Sequence, residues 1–124
     1  MKKISTDKAP QAIGPYSQAV SSGMLLFTSG QIPINPQTNN IDAEDITGQT
    51  EQVMKNLGAV LLAGGASFDT VIKTTCFLSD IANFGAFNEV YSKYLTEKPA
   101  RSCVAVRDLP RGVLVEVEAI AEIK

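Results

Sequence analysis

The chain has 124 residues, 44% hydrophobic and 19% charged, a size and balance that fit one globular domain with a real core. A net charge of −2 and a pI near 5.0 offer no basic face for phosphate contacts, which argues against a nucleic-acid partner. No histidine is present, which removes Ser-His-Asp and Cys-His catalysis and the commonest ligand of catalytic zinc.

In chain order, Gly14-Pro15 marks a tight turn just before Tyr16. The N-terminal Met-Lys-Lys-Ile-Ser-Thr-Asp-Lys has no apolar run behind its charges, so no signal peptide is predicted. No stretch approaches the roughly 18 apolar residues of a membrane helix, and the expected location is the cytoplasm. Residues 17–31 read as a hairpin, with strands over 17–20 and 25–29 and a turn at Ser21-Ser22-Gly23. Pro33, Asn35, Pro36, Asn39 and Asn40 make an irregular loop.

A first helix is signalled by Ile46, Val53, Met54, Leu57, Val60 and Leu61 on one stripe. Asp45 or Thr47 can cap its start, and Gly64-Gly65 can end it in a left-handed turn. The β-branched run over residues 71–78 predicts a strand. A second helix is predicted from about residue 81 to residue 95, capped by Ser79 or Asp80. Its stripe is Phe84, Phe87, Tyr91 and Leu95, with Asn88 on the same side.

Two strands close the chain. Residues 100–106 place Arg101, Cys103 and Ala105 on one face; residues 114–123 place Glu116 and Glu118 opposite Val115, Val117, Ala119, Ala121 and Ile123. The order β-β-α-β-α-β-β predicts a mixed sheet with both helices on one side. Two helices cannot cover both sheet faces, so the other apolar face is expected to be an interface in a homo-oligomer.

Arg101 sits in a small, apolar strand and needs a partner. That partner is a structural carboxylate, Glu116 or Glu118, or water if the side chain is simply exposed at a strand end, or the carboxylate of a ligand gripped by two parallel hydrogen bonds. Glu116 and Glu118 are either a solvated pair or, if one is partly buried, a group able to orient a water. Tyr16 is pinned beside its turn, and Ser29-Gly30 ends a strand with open backbone for close ligand approach. Asn88 on an apolar stripe must be hydrogen-bonded. Cys103 lies beside Arg101, but without a histidine base a buried inert thiol is expected. Cys76 and Cys103 form no CxxC pair, so neither a disulfide framework nor a metal site is predicted.

Three segments stand together in order: Ala-Ile-Gly-Pro-Tyr at 12–16, Thr-Ser-Gly-Gln-Ile-Pro at 28–33 and Pro-Ala-Arg-Ser-Cys-Val at 99–104. With Val71-Ile72-Lys73-Thr74-Thr75 and the run from Val115 to Ala121, they resemble the RidA/YjgF family of reactive-intermediate deaminases over nearly the whole chain. The resemblance implies a single chorismate-mutase-like α/β (α+β) domain over residues 1–124. Its mixed sheet has about six strands with two helices on one face, and it assembles as a homotrimer with sites between subunits. It further implies cofactor-independent hydrolysis of enamine and imine intermediates such as 2-iminopropanoate and 2-iminobutanoate to 2-keto acids and ammonia. On that model Arg101 pairs with the substrate carboxylate, and Glu116 positions the water with help from backbone near Cys103. Tyr16, Ser29, Gly30 and Asn88 line the pocket. An imine is already electrophilic, so orientation and a placed water suffice, which suits a chain without histidine. Two departures stand out: Ala105 occupies a position where many relatives carry Glu, and the 94–98 segment is short. A non-catalytic small-carboxylate-binding or regulatory trimer is one alternative. Ribonuclease activity, a label sometimes attached to the family, is the other, and the acidic pI, absent histidine and lack of a basic stripe argue against it.

Overall fold

The computed structural model describes residues 1–124 as six strands and two helices. These are β1 (Lys2–Ile4), β2 (Ala19–Ser22), β3 (Leu25–Thr28), α1 (Ile46–Ala63), β4 (Val71–Leu78), α2 (Phe84–Tyr94), β5 (Ala100–Ala105) and β6 (Val115–Glu122). They form one sheet in the order β1-β2-β3-β6-β4-β5, antiparallel except for the β4–β5 pair, whose parallel crossover runs through α2.

Strand alternation decides what is buried. Val115, Val117, Ala119 and Ala121 of β6 and Thr74, Cys76 and Leu78 of β4 face the helices and are buried. They meet Val53, Met54, Leu57, Val60 and Leu61 of α1 and Phe87 and Tyr91 of α2 in one core. Burying each large apolar side chain contributes roughly 1.5–3 kcal/mol. The other face has no helix over it. There Phe27 and Val104 stay 37% and 44% exposed, a surface that calls for a cover. No helix is long and apolar enough to cross a membrane.

The helix caps follow local chemistry. Asp45, not Thr47, caps α1, its carboxylate accepting from the Gly48 amide at 3.0 Å. Gly65 alone takes the left-handed conformation after α1, with φ 85°. The second helix starts later than its pattern predicts. Asp80 caps a 3-10 turn, Ile81–Asn83, which then leads into α2.

Two expectations about strands are corrected. The hairpin turn falls at Gly23-Met24, because Gly23 can take φ 59°, and the first hairpin strand therefore runs on to Ser22. The short strand β1, Lys-Lys-Ile, was not anticipated; lysines are suited to a sheet edge and carry no apolar alternation to read.

Candidate active site

Arg101 lies on the edge strand β5, in register with Thr74 of β4, so it faces the helices. It is half-buried at a cleft of about 310 Å³ that it shares with Asn88, Tyr91, Ser92, Leu95, Lys98 and Pro99. That volume fits a small molecule. One Nη donates to Oδ1 of Asn88 at 2.6 Å. The guanidinium carbon stands 4.9 Å from the Tyr91 ring centroid and 5.5 Å from that of Phe84. No carboxylate pairs with it; the one ion pair in the molecule is the exposed Arg107–Asp108 contact. Most of its five N–H donors are therefore free for a ligand or water.

Glu116 is in register with Phe77 and projects from the opposite face of the sheet. The structural pairing of Arg101 with Glu116 or Glu118 is thus ruled out within one chain, because strand alternation sends the groups to different sides. Glu116 belongs to a second cleft of about 330 Å³, with Tyr16, Ser29, Gly30, Ile32 and Pro110.

A bulge builds that second cleft. Strand β3 pairs with β6 at Phe27–Ile120, and pairing resumes at Gln31–Val117, four residues along one strand and three along the other. The Thr28 hydroxyl accepts from the Ala119 amide at 3.0 Å in the gap, and Ser29-Gly30 is displaced beside Glu116. A Cβ on Gly30 would collide with the Glu116 carboxylate, so Glu116 keeps this position only while residue 30 is glycine, by proximity and not by φ. The Ser29 hydroxyl donates to the Ser17 carbonyl at 2.6 Å, tying this corner to Tyr16. The Tyr16 amide closes a three-residue turn onto the Gly14 carbonyl at 2.9 Å, leaving the Tyr16 side chain 54% exposed at the cleft. Buried amides brace the surroundings: Asn56 donates to the Ile32 and Ile34 carbonyls, and Gln49 accepts from the Leu114 amide.

Burial pushes the Glu116 carboxyl above its ordinary range, and the neighbouring charge of Glu118 adds to the rise. Burial likewise raises the thiols, Cys76 to about 12 and Cys103 upward against the opposing pull of Arg101. Neither is a thiolate near neutral pH, so Cys103, half-buried on the Arg101 face, offers packing and backbone but no ready nucleophile. No group of three or more His, Cys, Asp or Glu lies together to hold a metal.

The seven expected positions therefore divide. Arg101, Asn88 and Cys103 share the helix-facing side, while Tyr16, Ser29, Gly30 and Glu116 share the open side. Phe84 and Tyr91 are the additions the sequence reading missed as site residues. Phe84 lies on the predicted stripe with Tyr91 and is 36% exposed over Arg101. Their signal was available: Phe84, Asn88 and Tyr91 fall at i, i+4 and i+7 on one helix face.

The two clefts lie on opposite faces of one small α+β sheet. The family profile described as Endoribonuclease L-PSP matches residues 6–123. The chain is 53% identical to the Lactococcus lactis protein named as a regulator, AldR, over 100% of this chain and 99% of that one. It is 46% identical to Reactive Intermediate Deaminase A, chloroplastic, of Arabidopsis thaliana, over 95% of this chain and 64% of that one. The crystal structure of Escherichia coli TdcF with bound serine superposes with a TM-score of 0.94 at 44% identity, covering 100% of both chains. The chain belongs to the RidA/YjgF family.

Proposed function

We propose that this protein is a hydrolytic deaminase of 2-imino acids, including 2-iminopropanoate and 2-iminobutanoate, acting as a homotrimer with sites between subunits. The observation that carries the proposal is the half-buried Arg101 guanidinium, oriented by Asn88 and two aromatic rings yet paired with no carboxylate of its own chain. Such a group suits the carboxylate of a small acid. The deaminase name of the Arabidopsis relative and the serine bound to TdcF, itself an α-carboxylate, point the same way.

Because Glu116 stands on the opposite face, the reaction draws Arg101 from one protomer and Glu116 from its neighbour. The uncovered sheet face provides the packing surface. Arg101 fixes the carboxylate and with it the imine carbon. Glu116, with its raised proton affinity, takes a proton from the attacking water as the C–O bond forms and the C=N π electrons move to nitrogen. Starting from the protonated imine, this gives a neutral carbinolamine. Glu116 returns the proton to its nitrogen, then takes the proton of the new hydroxyl as the C–N bond breaks and the C=O bond forms, releasing ammonia and leaving the 2-keto acid. The test is a coupled assay that generates 2-iminobutanoate in place and follows keto-acid formation. Acceleration over the unaided decay supports the proposal; binding of 2-oxobutanoate without acceleration identifies a non-catalytic carboxylate binder instead.

Two smaller expectations follow from the Glu116 side. Gly30→Ala places a methyl where the Glu116 carboxylate lies. The carboxylate is the flexible end of its side chain, so it swings away while the fold stays. Activity should fall about 10- to 100-fold with little change in melting temperature. For pH, kcat/KM should fall as acid protonates Glu116, at a pH above the ordinary glutamate value of about 4.3. Glu118→Gln removes one of the two causes of the rise, so the acid limb should move to lower pH. The substrate's own ionisation is common to both proteins, and an unmoved limb would show that Glu116 does not set it.

A further inference from the structure

A carboxylate is gripped by two parallel bonds only if the plane of the guanidinium is held. Arg101 has one neutral hydrogen bond, to Asn88, which leaves its plane free to tilt about that contact. The rings beside it are what restrain the tilt, and the two differ. Phe84 is 36% exposed and has no polar tether. Tyr91 is 7% exposed, lies nearer the guanidinium at 4.9 Å, and its hydroxyl is 2.7 Å from the Thr74 hydroxyl. Thr74 is wholly buried and stands in register with Arg101 on the adjacent strand. Backbone pairing therefore fixes Arg101 and Thr74 together, Thr74 fixes Tyr91, and Tyr91 returns to the far end of the Arg101 side chain. Stability alone does not ask for this: an apolar Val–Phe pair of the same shape would fill the space about as well.

We propose that Thr74 and Tyr91 are positioning residues that set the plane of the Arg101 guanidinium for the substrate carboxylate. The inference rests on Arg101 receiving that carboxylate. The test uses the full-length Thr74→Val/Tyr91→Phe protein, in which both hydroxyls go together so that neither is left buried and unpaired. The measurements are KM and kcat for 2-iminobutanoate, 2-oxobutanoate affinity by calorimetry, and melting temperature. KM and the 2-oxobutanoate dissociation constant should rise about three- to tenfold, with melting temperature nearly unchanged. Thr74→Ser, which keeps the hydroxyl, should retain wild-type values. In an Arg101→Lys background, with no fork to orient, the double change should add nothing. Should the double variant not fold, Tyr91→Phe alone carries the same comparison. Wild-type KM and affinity in the variant, or an equal loss in the Arg101→Lys background, would overturn the positioning role. A wild-type protein that neither turns over 2-iminobutanoate nor binds 2-oxobutanoate would instead remove the carboxylate reading itself, and the positioning role with it.

Discussion

Arg101→Ala should lower kcat/KM for 2-iminobutanoate by about 30-fold to several thousandfold, the usual consequence of removing one partner of a desolvated charge pair. In the proposed reaction the guanidinium would supply both the counter-charge and the fork that fixes the carbon under attack. Arg101→Lys should recover little, since an ammonium keeps the charge and loses the planar fork. The alanine protein should stay folded, because the side chain has no carboxylate partner in its own chain to orphan and its edge strand keeps its backbone pairing with β4. A structural role predicts the reverse: a lower melting temperature with near-normal turnover per folded molecule. Measuring melting temperature and turnover on one preparation separates the two.

Glu116→Gln should reduce kcat by about 100- to 10,000-fold, the range for loss of a general base, while 2-oxobutanoate binding through Arg101 persists. The same substitution has a stability signature whose sign is fixed by the raised proton affinity of Glu116. The folded protein holds that proton more tightly than the unfolded chain does, so ionisation disfavours folding as pH rises from the ordinary glutamate range through the folded value. Glutamine never ionises. At neutral pH the variant should therefore melt at the same temperature as wild type or higher, with any gain vanishing below about pH 4. A less stable, fully active Glu116→Gln protein would assign the residue to structure.

Much of this was readable in the residues, and the limits have physical causes. The alternation in β6 and the stripe in α1 are strong because each side chain answers to one buried face, and both elements are found where the pattern puts them. The alternation in β5 likewise placed Arg101 and Cys103 together, as observed. Parity along single strands could not show that Arg101 and Glu116 leave the sheet on opposite sides. That depends on the parallel β4–β5 register and the antiparallel β4–β6 register, which are relations between distant segments. The bulge at Ser29-Gly30 was hidden for a similar reason: Thr28 replaces a ladder bond with its hydroxyl, and nothing in Thr-Ser-Gly-Gln alone distinguishes that from an ordinary strand end. Pattern alone gives no sign that Gln18, Gln49 and Asn56 are buried, because polar residues ordinarily face solvent. Each is instead bonded to loop backbone, Gln18 at Pro10, Gln49 at Ala43 and Asn56 at Ile32 and Ile34. The stripe puts Phe84, Asn88 and Tyr91 on one helix face, as found, but a stripe does not show where that face ends and a charged neighbour begins.

Subunit mixing tests the shared site most directly. Arg101→Ala and Glu116→Ala proteins are each strongly impaired on this account, and each retains the half-site the other lacks. Unfolding and refolding them together in equal amounts yields mixed trimers, verified by native mass spectrometry. If each site takes Arg101 from one protomer and Glu116 from the next, about a quarter of the sites regain both groups by random assortment around the ring. Imine hydrolysis should then return to about a quarter of the wild-type rate per protomer. Mixed trimers that stay inactive, when wild-type protein refolded in the same way is active, would contradict a site built from two subunits.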